Sequence, residues 1–178
     1  MHKHSINALI FITAVSLGLS TFILPLQARS QETIQSCEVA MLNAKKRIEQ
    51  GRAITVQTDI TDGSEEYLDH PNGRPIIILV FLDFPGSFGY RGYDDGSVDD
   101  AVSVMESPVF QRAIASEIIK SCNSVGAVTF LLNQQPPWAT TTGLMRDGSI
   151  QNFECLFPDE LPDDGSLFLP WGQELCSI

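Results

Sequence analysis

A glycine-rich segment with interleaved aromatic and charged side chains is the part of the chain best suited to binding. Residues 83–96 contain four glycines, and Phe88, Tyr90, Arg91 and Tyr93 are interspersed among them. Rigid rings and a planar guanidinium provide contact area at low entropic cost, while glycine lets a loop adapt its shape. The pattern predicts a binding loop that uses these four side chains. The alternative is that the rings fold back over the core.

The same segment leads into a group of carboxylates. Asp94, Asp95, Asp99 and Asp100 are close together in the sequence, and Ca²⁺ takes six to eight oxygen ligands from loops of this kind. The spacing of an EF-hand is missing, however, and acidic residues in a first helical turn also stabilise the helix through its macrodipole. Calcium is therefore an alternative to a structural role for these aspartates, and the sequence indicates no other cofactor.

Two hydrolase arrangements can be drawn around this segment. Ser87, His70 and Asp83 would supply a nucleophile, a base and an orienting acid, but the glycines near Ser87 lack the spacing of a nucleophile elbow. The two carboxylates of a glycosidase would instead come from Asp83 with a partner among Glu65, Glu66 and Asp69. Sequence alone sets no distance between these groups. We identify no catalytic residue, and a small exported hydrolase is the alternative to a binding protein.

Four cysteines, Cys37, Cys122, Cys155 and Cys176, predict two disulfides. Their spacing lacks the close pairs of a zinc site, and a disulfide-bonded sulfur is no nucleophile. Cys122 ends a predicted helix and Cys155 lies in a nearby predicted hairpin. This placement favours Cys122 with Cys155 and Cys37 with Cys176, while the other two connectivities stay open.

The first residues predict export. A weakly basic start, an apolar segment over residues 8–19 and the small Ala28 are typical of a signal peptide that is cleaved after Ala28. An uncleaved anchor is the alternative, because apolar character extends over residues 6–26. We expect a signal peptide at residues 1–28 and a secreted or periplasmic domain at residues 29–178, with no stable membrane insertion after cleavage.

The chain of 178 residues has a formal net charge of −11. Nucleic acids and anionic membrane surfaces are bound by clustered Lys and Arg, so the charge argues against both as partners. We expect a non-enzymatic binding or interaction protein with a protein or carbohydrate ligand. A structural envelope protein is a further alternative.

The hydrophobic pattern indicates which elements position these residues. Residues 76–82 are seven consecutive large apolar residues, which predict a strand buried on both faces. Helical spacing predicts a helix over residues 33–50 with an inward face of Ile34, Cys37, Met41, Ala44 and Ile48. Two more helices are predicted, one capped by Ser97 and one over residues 107–121 that starts at Ser107 and Pro108.

Further strands are predicted at residues 53–58 and 124–132, with an acidic turn region at residues 59–69. Asn72 and Gly73 are expected to adopt positive φ in the turn before the central strand. Asp147 and Gly148 predict a two-residue turn between hairpin strands at 141–146 and 149–156. The order of these elements predicts a single small α+β domain with a mainly antiparallel sheet of four to five strands, helices on one face and two disulfides.

Several of these segments, taken together, resemble a known group of sequences. Residues 118–122, 125–130, 143–149 and 153–155 resemble the corresponding parts of uncharacterised secreted proteins of cyanobacteria. The resemblance covers residues 107–155 and is carried by structural motifs. It implies a secreted protein and no particular activity.

Overall fold

The structure is a computed structural model that describes residues 24–67, 69–84, 95–132, 138–157 and 168–176. Met1–Glu32 and Thr33–Ile178 are separate units of the chain, and the sheets and both disulfides belong to the second. The described helices are α1 (Leu24–Glu49), α2 (Asp95–Met105) and α3 (Pro108–Ser121). The described strands are β1 (Thr55–Asp62), β2 (Ile76–Asp83), β3 (Val125–Leu132), β4 (Trp138–Leu144), β5 (Ile150–Asn152), β6 (Glu154–Leu156) and β7 (Gln173–Leu175). None of the described helices is long and apolar enough to cross a membrane.

Five strands form the main sheet in the order β1-β2-β3-β4-β5, and β6 pairs with β7 in a small second sheet. Strands β2 and β3 are parallel, whereas the other neighbours in the main sheet are antiparallel. A parallel pair needs a long crossover, which α2 and α3 provide. The predicted fold class, a single α+β domain with a mainly antiparallel sheet, is confirmed.

All three helices pack against one face of the main sheet, which we call the helix face. The core there joins Ala44 and Ile48 of α1 with Val104 of α2 and Ile114 of α3. The strands contribute buried side chains from alternate positions, among them Ile78, Val80, Leu82, Val128 and Phe130. Burial of each such large side chain stabilises the fold by about 1.5–3 kcal/mol. Helices on one face were predicted and are present.

The apolar run of β2 is buried on both faces over its first half. Ile78 faces the helices, and Ile77 and Leu79 belong to a smaller cluster on the opposite side, which we call the second face. That cluster includes Tyr67, Phe153 and Leu169. Further along the strand, Phe81 and Asp83 are only half-buried, so the prediction of a strand buried on both faces holds best at its beginning.

The predicted helices are present, but two of them start earlier than predicted. Helix α1 begins at Leu24 rather than at residue 33. Helix α1 ends at Glu49, and Gly51 has a φ of 72° as expected at a C-terminal cap. Helix α3 begins after Ser107, although the Ser107 side chain makes no capping hydrogen bond. Helix α2 begins at Asp95, so the prediction of Ser97 as its cap is wrong. Ser97 lies inside the helix and is buried.

Pairing with β2 extends β1 beyond its predicted end. Asp62 is opposite Ile76, so the strand continues through residues that were expected to form a turn. Asn72 and Gly73 have φ values of 56° and 63°, as predicted. The β4–β5 hairpin is also present, but its turn has three residues, because the Met145 N–H donates to the Ser149 carbonyl at 2.7 Å. Gly148 takes the left-handed position of this turn with φ of 84°.

The disulfides join Cys37 to Cys122 and Cys155 to Cys176, so the favoured pairing was wrong although all four cysteines are bonded. Helix α1 runs past the end of α3, where the Ser36 hydroxyl donates to the Ser121 carbonyl at 3.2 Å. This contact brings Cys37 to Cys122. The parallel pairing of β6 with β7 brings Cys155 to Cys176 in the same way.

Candidate functional site

The predicted binding loop leaves the sheet where two parallel strands end. Leu82 of β2 is paired with Leu132 of β3, so both strands finish at one edge of the sheet. We call this the carboxyl edge, defined by Asp83, Phe84, Leu132 and Trp138. In open sheets of parallel strands, ligands bind outside the carboxyl ends of the strands. The predicted loop starts at the corresponding end of the one parallel pair in the main sheet.

The loop side chains themselves lie outside the described residues. This applies to Ser87, to the side chains predicted to bind, Phe88, Tyr90, Arg91 and Tyr93, and to the side chains of Asp94 and Asp95. The residues on either side of the segment are well buried, since Phe84 is 5% exposed and Ser97 is 1% exposed. Both attachments of the loop are thus fixed in the core.

Asp83 is held at the carboxyl edge by a neighbouring strand. Its Oδ2 accepts a hydrogen bond of 2.7 Å from Gln57 Nε2, and the residue is half-buried. His70 lies before the opposite end of β2, where its Nε2 is 3.5 Å from Ser64 Oγ. The eight residues of β2 separate the two groups by roughly 23 Å, since the strand has seven steps of about 3.3 Å. The structure therefore does not bring His70 and Asp83 together.

The same separation applies to the glycosidase arrangement. Glu66 and Asp69 precede β2, whereas Asp83 ends it, so neither acid is near Asp83. Asp69 has other partners, because it pairs with Arg146 and accepts a hydrogen bond of 3.0 Å from the Trp171 N–H. The side chain of Glu65 is outside the described residues. The acids with described side chains, Glu66 and Asp69, do not form a carboxylate pair with Asp83.

Of the four aspartates predicted as calcium ligands, the structure describes the side chains of Asp99 and Asp100. Asp100 ties α2 to the chain before β1, since its Oδ2 accepts a hydrogen bond of 2.6 Å from the Ala53 N–H. Asp99 is exposed. Among the described side chains, no group of three or more His, Cys, Asp or Glu residues is arranged to hold a metal ion.

The charges at the carboxyl edge are negative. Helix α2 contains Asp95, Asp99 and Asp100 in its first two turns, and Asp83 lies at the end of the adjoining strand. A helix N-terminus attracts anions through its free N–H groups, but carboxylates in the first turns neutralise that attraction. The edge is therefore suited to a neutral or cationic ligand and unsuited to a phosphate.

Two acids that influence each other, Glu66 and Glu174, lie away from this edge, beside the second face. Glu174 of β7 lies near the hydroxyl and the backbone N–H of Thr141, and these two groups favour its charged form. Burial raises the pKa of Glu174 to about 7 against the effect of these groups, and the charge of Glu66 adds to the increase. Burial also raises the pKa of Glu66. The sequence analysis missed Glu174, because its environment is formed by a distant strand and leaves no local signal.

An aromatic plug covers the second face next to these acids. The rings of Tyr67, Phe153 and Trp171 meet edge to face with centroids 5.2–5.7 Å apart. The indole N–H of Trp171 donates to the Leu144 carbonyl at 2.8 Å. An open depression of about 240 Å³ beside the plug is lined by Asp69, Phe168, Leu169 and Pro170.

The two places differ in the segments that adjoin them. At the plug, Trp171 donates to Leu144 and to Asp69, and these bonds hold the C-terminal residues on the sheet. At the carboxyl edge, the strand ends lead into the glycine and aromatic segment. We therefore take the carboxyl edge as the candidate functional site. No protein-family model, curated protein or solved structure matches the chain.

Proposed function

We propose that this protein is an exported, non-enzymatic binding domain whose ligand docks at the carboxyl edge, with Phe88, Tyr90, Arg91 and Tyr93 as the contact side chains. One observation carries the proposal. The parallel strands β2 and β3 end side by side, and the segment with these residues continues directly from β2. A buried strand gives such a loop a rigid base, which lowers the entropic cost of binding.

The disulfides support export. Two disulfides with no free cysteine fit a domain that folds in an oxidising compartment, since cytosolic thiols are kept reduced. The predicted signal peptide at residues 1–28 supplies the route. The domain is then released to the periplasm or the medium, without stable membrane insertion.

The chemistry of the edge supports a protein surface or a carbohydrate as the ligand. Aromatic side chains stack on sugar rings and on apolar protein side chains alike. The carboxylates of Asp83, Asp99 and Asp100 favour a neutral or cationic surface, and with a chain charge of −11 they disfavour nucleic acid.

The proposal is tested by replacing the loop aromatics. We expect Y90A/Y93A to abolish capture of the ligand in a pull-down from the native envelope fraction and in a binding screen of cell-wall and exopolysaccharide fragments. The melting temperature should stay within about 2 °C of the wild type, because rings that face a ligand contribute little to folding.

The matched control removes an exposed aromatic ring elsewhere. Phe157 follows β6 and is 42% exposed, so F157A should retain full capture. If Y90A/Y93A instead lowers the melting temperature by several degrees and leaves capture intact, the rings pack on the core and the proposal is wrong.

Calcium is tested separately on the unmodified domain. We propose that the aspartates of α2 are structural, since Asp100 is bonded to Ala53 and carboxylates in a first turn stabilise a helix. Adding millimolar Ca²⁺ after EDTA treatment should then leave the melting temperature unchanged. A rise of several degrees would reveal a calcium site, because a ligand that binds only the folded state stabilises it.

A further inference from the structure

A network of neutral polar side chains is buried on the helix face, between α3 and the β4–β5 hairpin. Gln111 of α3 is 1% exposed. Its Nε2 donates to the carbonyl oxygens of Val104 and Met105, each at 3.0 Å. Its Oε1 accepts a hydrogen bond of 3.2 Å from Asn152 Nδ2. The network thus joins the end of α2 to α3 and to β5.

These contacts also determine the orientation of the Asn152 amide. Because both donor hydrogens of Gln111 are taken by backbone carbonyls, Gln111 can offer Asn152 only its oxygen. Asn152 must therefore turn its nitrogen towards Gln111 and its Oδ1 away from it. Asn152 is paired with Thr142 of the neighbouring strand β4, so Oδ1 is available for a partner other than Gln111.

Three buried oxygens in this region have no hydrogen-bond partner among the described residues: Thr140 Oγ1, Thr142 Oγ1 and Asn152 Oδ1. Thr142 is fully buried and directly opposite Asn152 in the β4–β5 register. Thr140 is on the same face of β4, because side chains two residues apart in a strand point the same way. Buried polar atoms in native proteins are almost always paired with protein or with ordered water.

We propose that Thr142 and Asn152, with Thr140 as a third partner, bind one internal water molecule beneath α3. Asn152 Oδ1 can only accept a hydrogen bond, whereas each threonine hydroxyl can donate or accept. A water molecule donates twice and accepts twice, so it satisfies all three oxygens, and three partners is the usual number for a buried water. A metal ion is a poor fit, because the three groups are uncharged.

A crystal structure at a resolution that shows ordered solvent tests the site directly. We expect a density peak at hydrogen-bond distance, about 2.7–3.2 Å, from both Thr142 Oγ1 and Asn152 Oδ1. Absence of this peak, in a map that shows ordered water elsewhere in the domain, would overturn the assignment.

Two variants at one position give an independent readout. T142V keeps the shape of the side chain but removes the hydroxyl, so it should lose the peak and lower the melting temperature by several degrees. T142S keeps the hydroxyl and should keep the peak. If T142V instead raises the melting temperature, the hydroxyl was unpaired and its removal relieved a desolvation penalty, which contradicts a bound water.

Discussion

At the scale of single residues, the clearest local device is the Asp-Gly-Ser turn. Asp62 and Asp147 each accept a hydrogen bond of 2.9 Å from the N–H of the serine two positions later. These bonds hold the pKa of both exposed aspartates below the usual value, chiefly through the backbone N–H at Asp62 and the serine hydroxyl at Asp147. The sequence predicted a turn at Asp147 and Gly148, and this local feature could be predicted because an Asx turn is built by adjacent residues.

Glu174 shows the opposite case, because its pKa is set by the fold and not by residues adjacent to it in the sequence. Its pKa of about 7 is above the ordinary 4.5, so the folded state holds this proton more tightly than the unfolded state. The stabilisation is fully present below about pH 4.5 and is lost as the pH rises through about 7. We expect the free energy of unfolding to fall by on the order of 2 kcal/mol between pH 5 and pH 8 from this group.

The measurement is urea unfolding at pH 5, 6.5 and 8 for the wild type and for E174Q. Glutamine carries no charge and has nearly the same shape as glutamate, so E174Q should flatten the pH dependence and be more stable than the wild type at pH 8. The exposed Glu154 of β6 provides the control, since E154Q should leave the dependence unchanged. An unaltered slope in E174Q would contradict the assigned pKa.

At the scale of elements, the helices were easier to predict than the limits of the strands. The spacing of Cys37, Ala44 and Ile48 on α1 is a property of one segment, and these residues do pack against the core. The end of β1 depends instead on how far β2 continues opposite it. The residues of β1 alone do not indicate that length. Likewise, the three-residue turn before Ser149 depends on hydrogen bonds between strands.

Close packing between β3 and its neighbours depends on Gly126. A Cβ atom added there would overlap the carbonyl oxygen of Arg74 and lie 3.0 Å from the Trp171 ring. Because a backbone atom cannot rotate away, we expect G126A to lower the free energy of unfolding by about 2–3 kcal/mol. Trp171 fluorescence should change as well, since the indole must shift.

Gly148 is the control for this prediction. Its φ is 84° and no atom lies within 4 Å of an added Cβ, so G148A has a conformational cost of about 1 kcal/mol and no steric one. Urea unfolding of both variants separates the two effects. Equal losses, or an unchanged fluorescence in G126A, would show that the contact at Gly126 is not tight.

At the scale of the whole molecule, long-range pairing decides what the sequence leaves open. The fold class followed from patterns along the chain. The parallel alignment of β2 with β3, the approach of Glu174 to Thr141 and the cysteine partners all join distant segments. The carboxyl edge could be predicted only in part. The sequence predicted the strand β2, but it did not indicate that β3 lies parallel beside it after the α2–α3 connection.

The two disulfides should contribute unequally to stability. Cys37–Cys122 joins residues 85 positions apart, and Cys155–Cys176 joins residues 21 apart. On the chain-entropy account, the longer loop restricts the unfolded chain more, which gives about 4–5 kcal/mol for the first bond and about 3 kcal/mol for the second. We therefore expect C37A/C122A to lose more in urea unfolding than C155A/C176A. A larger loss in C155A/C176A would contradict the entropic ranking.

The same variants test the pairing by counting thiols. If Cys37 is bonded to Cys122, the C37A/C122A protein retains Cys155–Cys176 and should show no free thiol with a thiol reagent under denaturing conditions. Had Cys122 been joined to Cys155 and Cys37 to Cys176, the same variant would expose two thiols. Two free thiols in C37A/C122A would therefore contradict the pairing of Cys37 with Cys122.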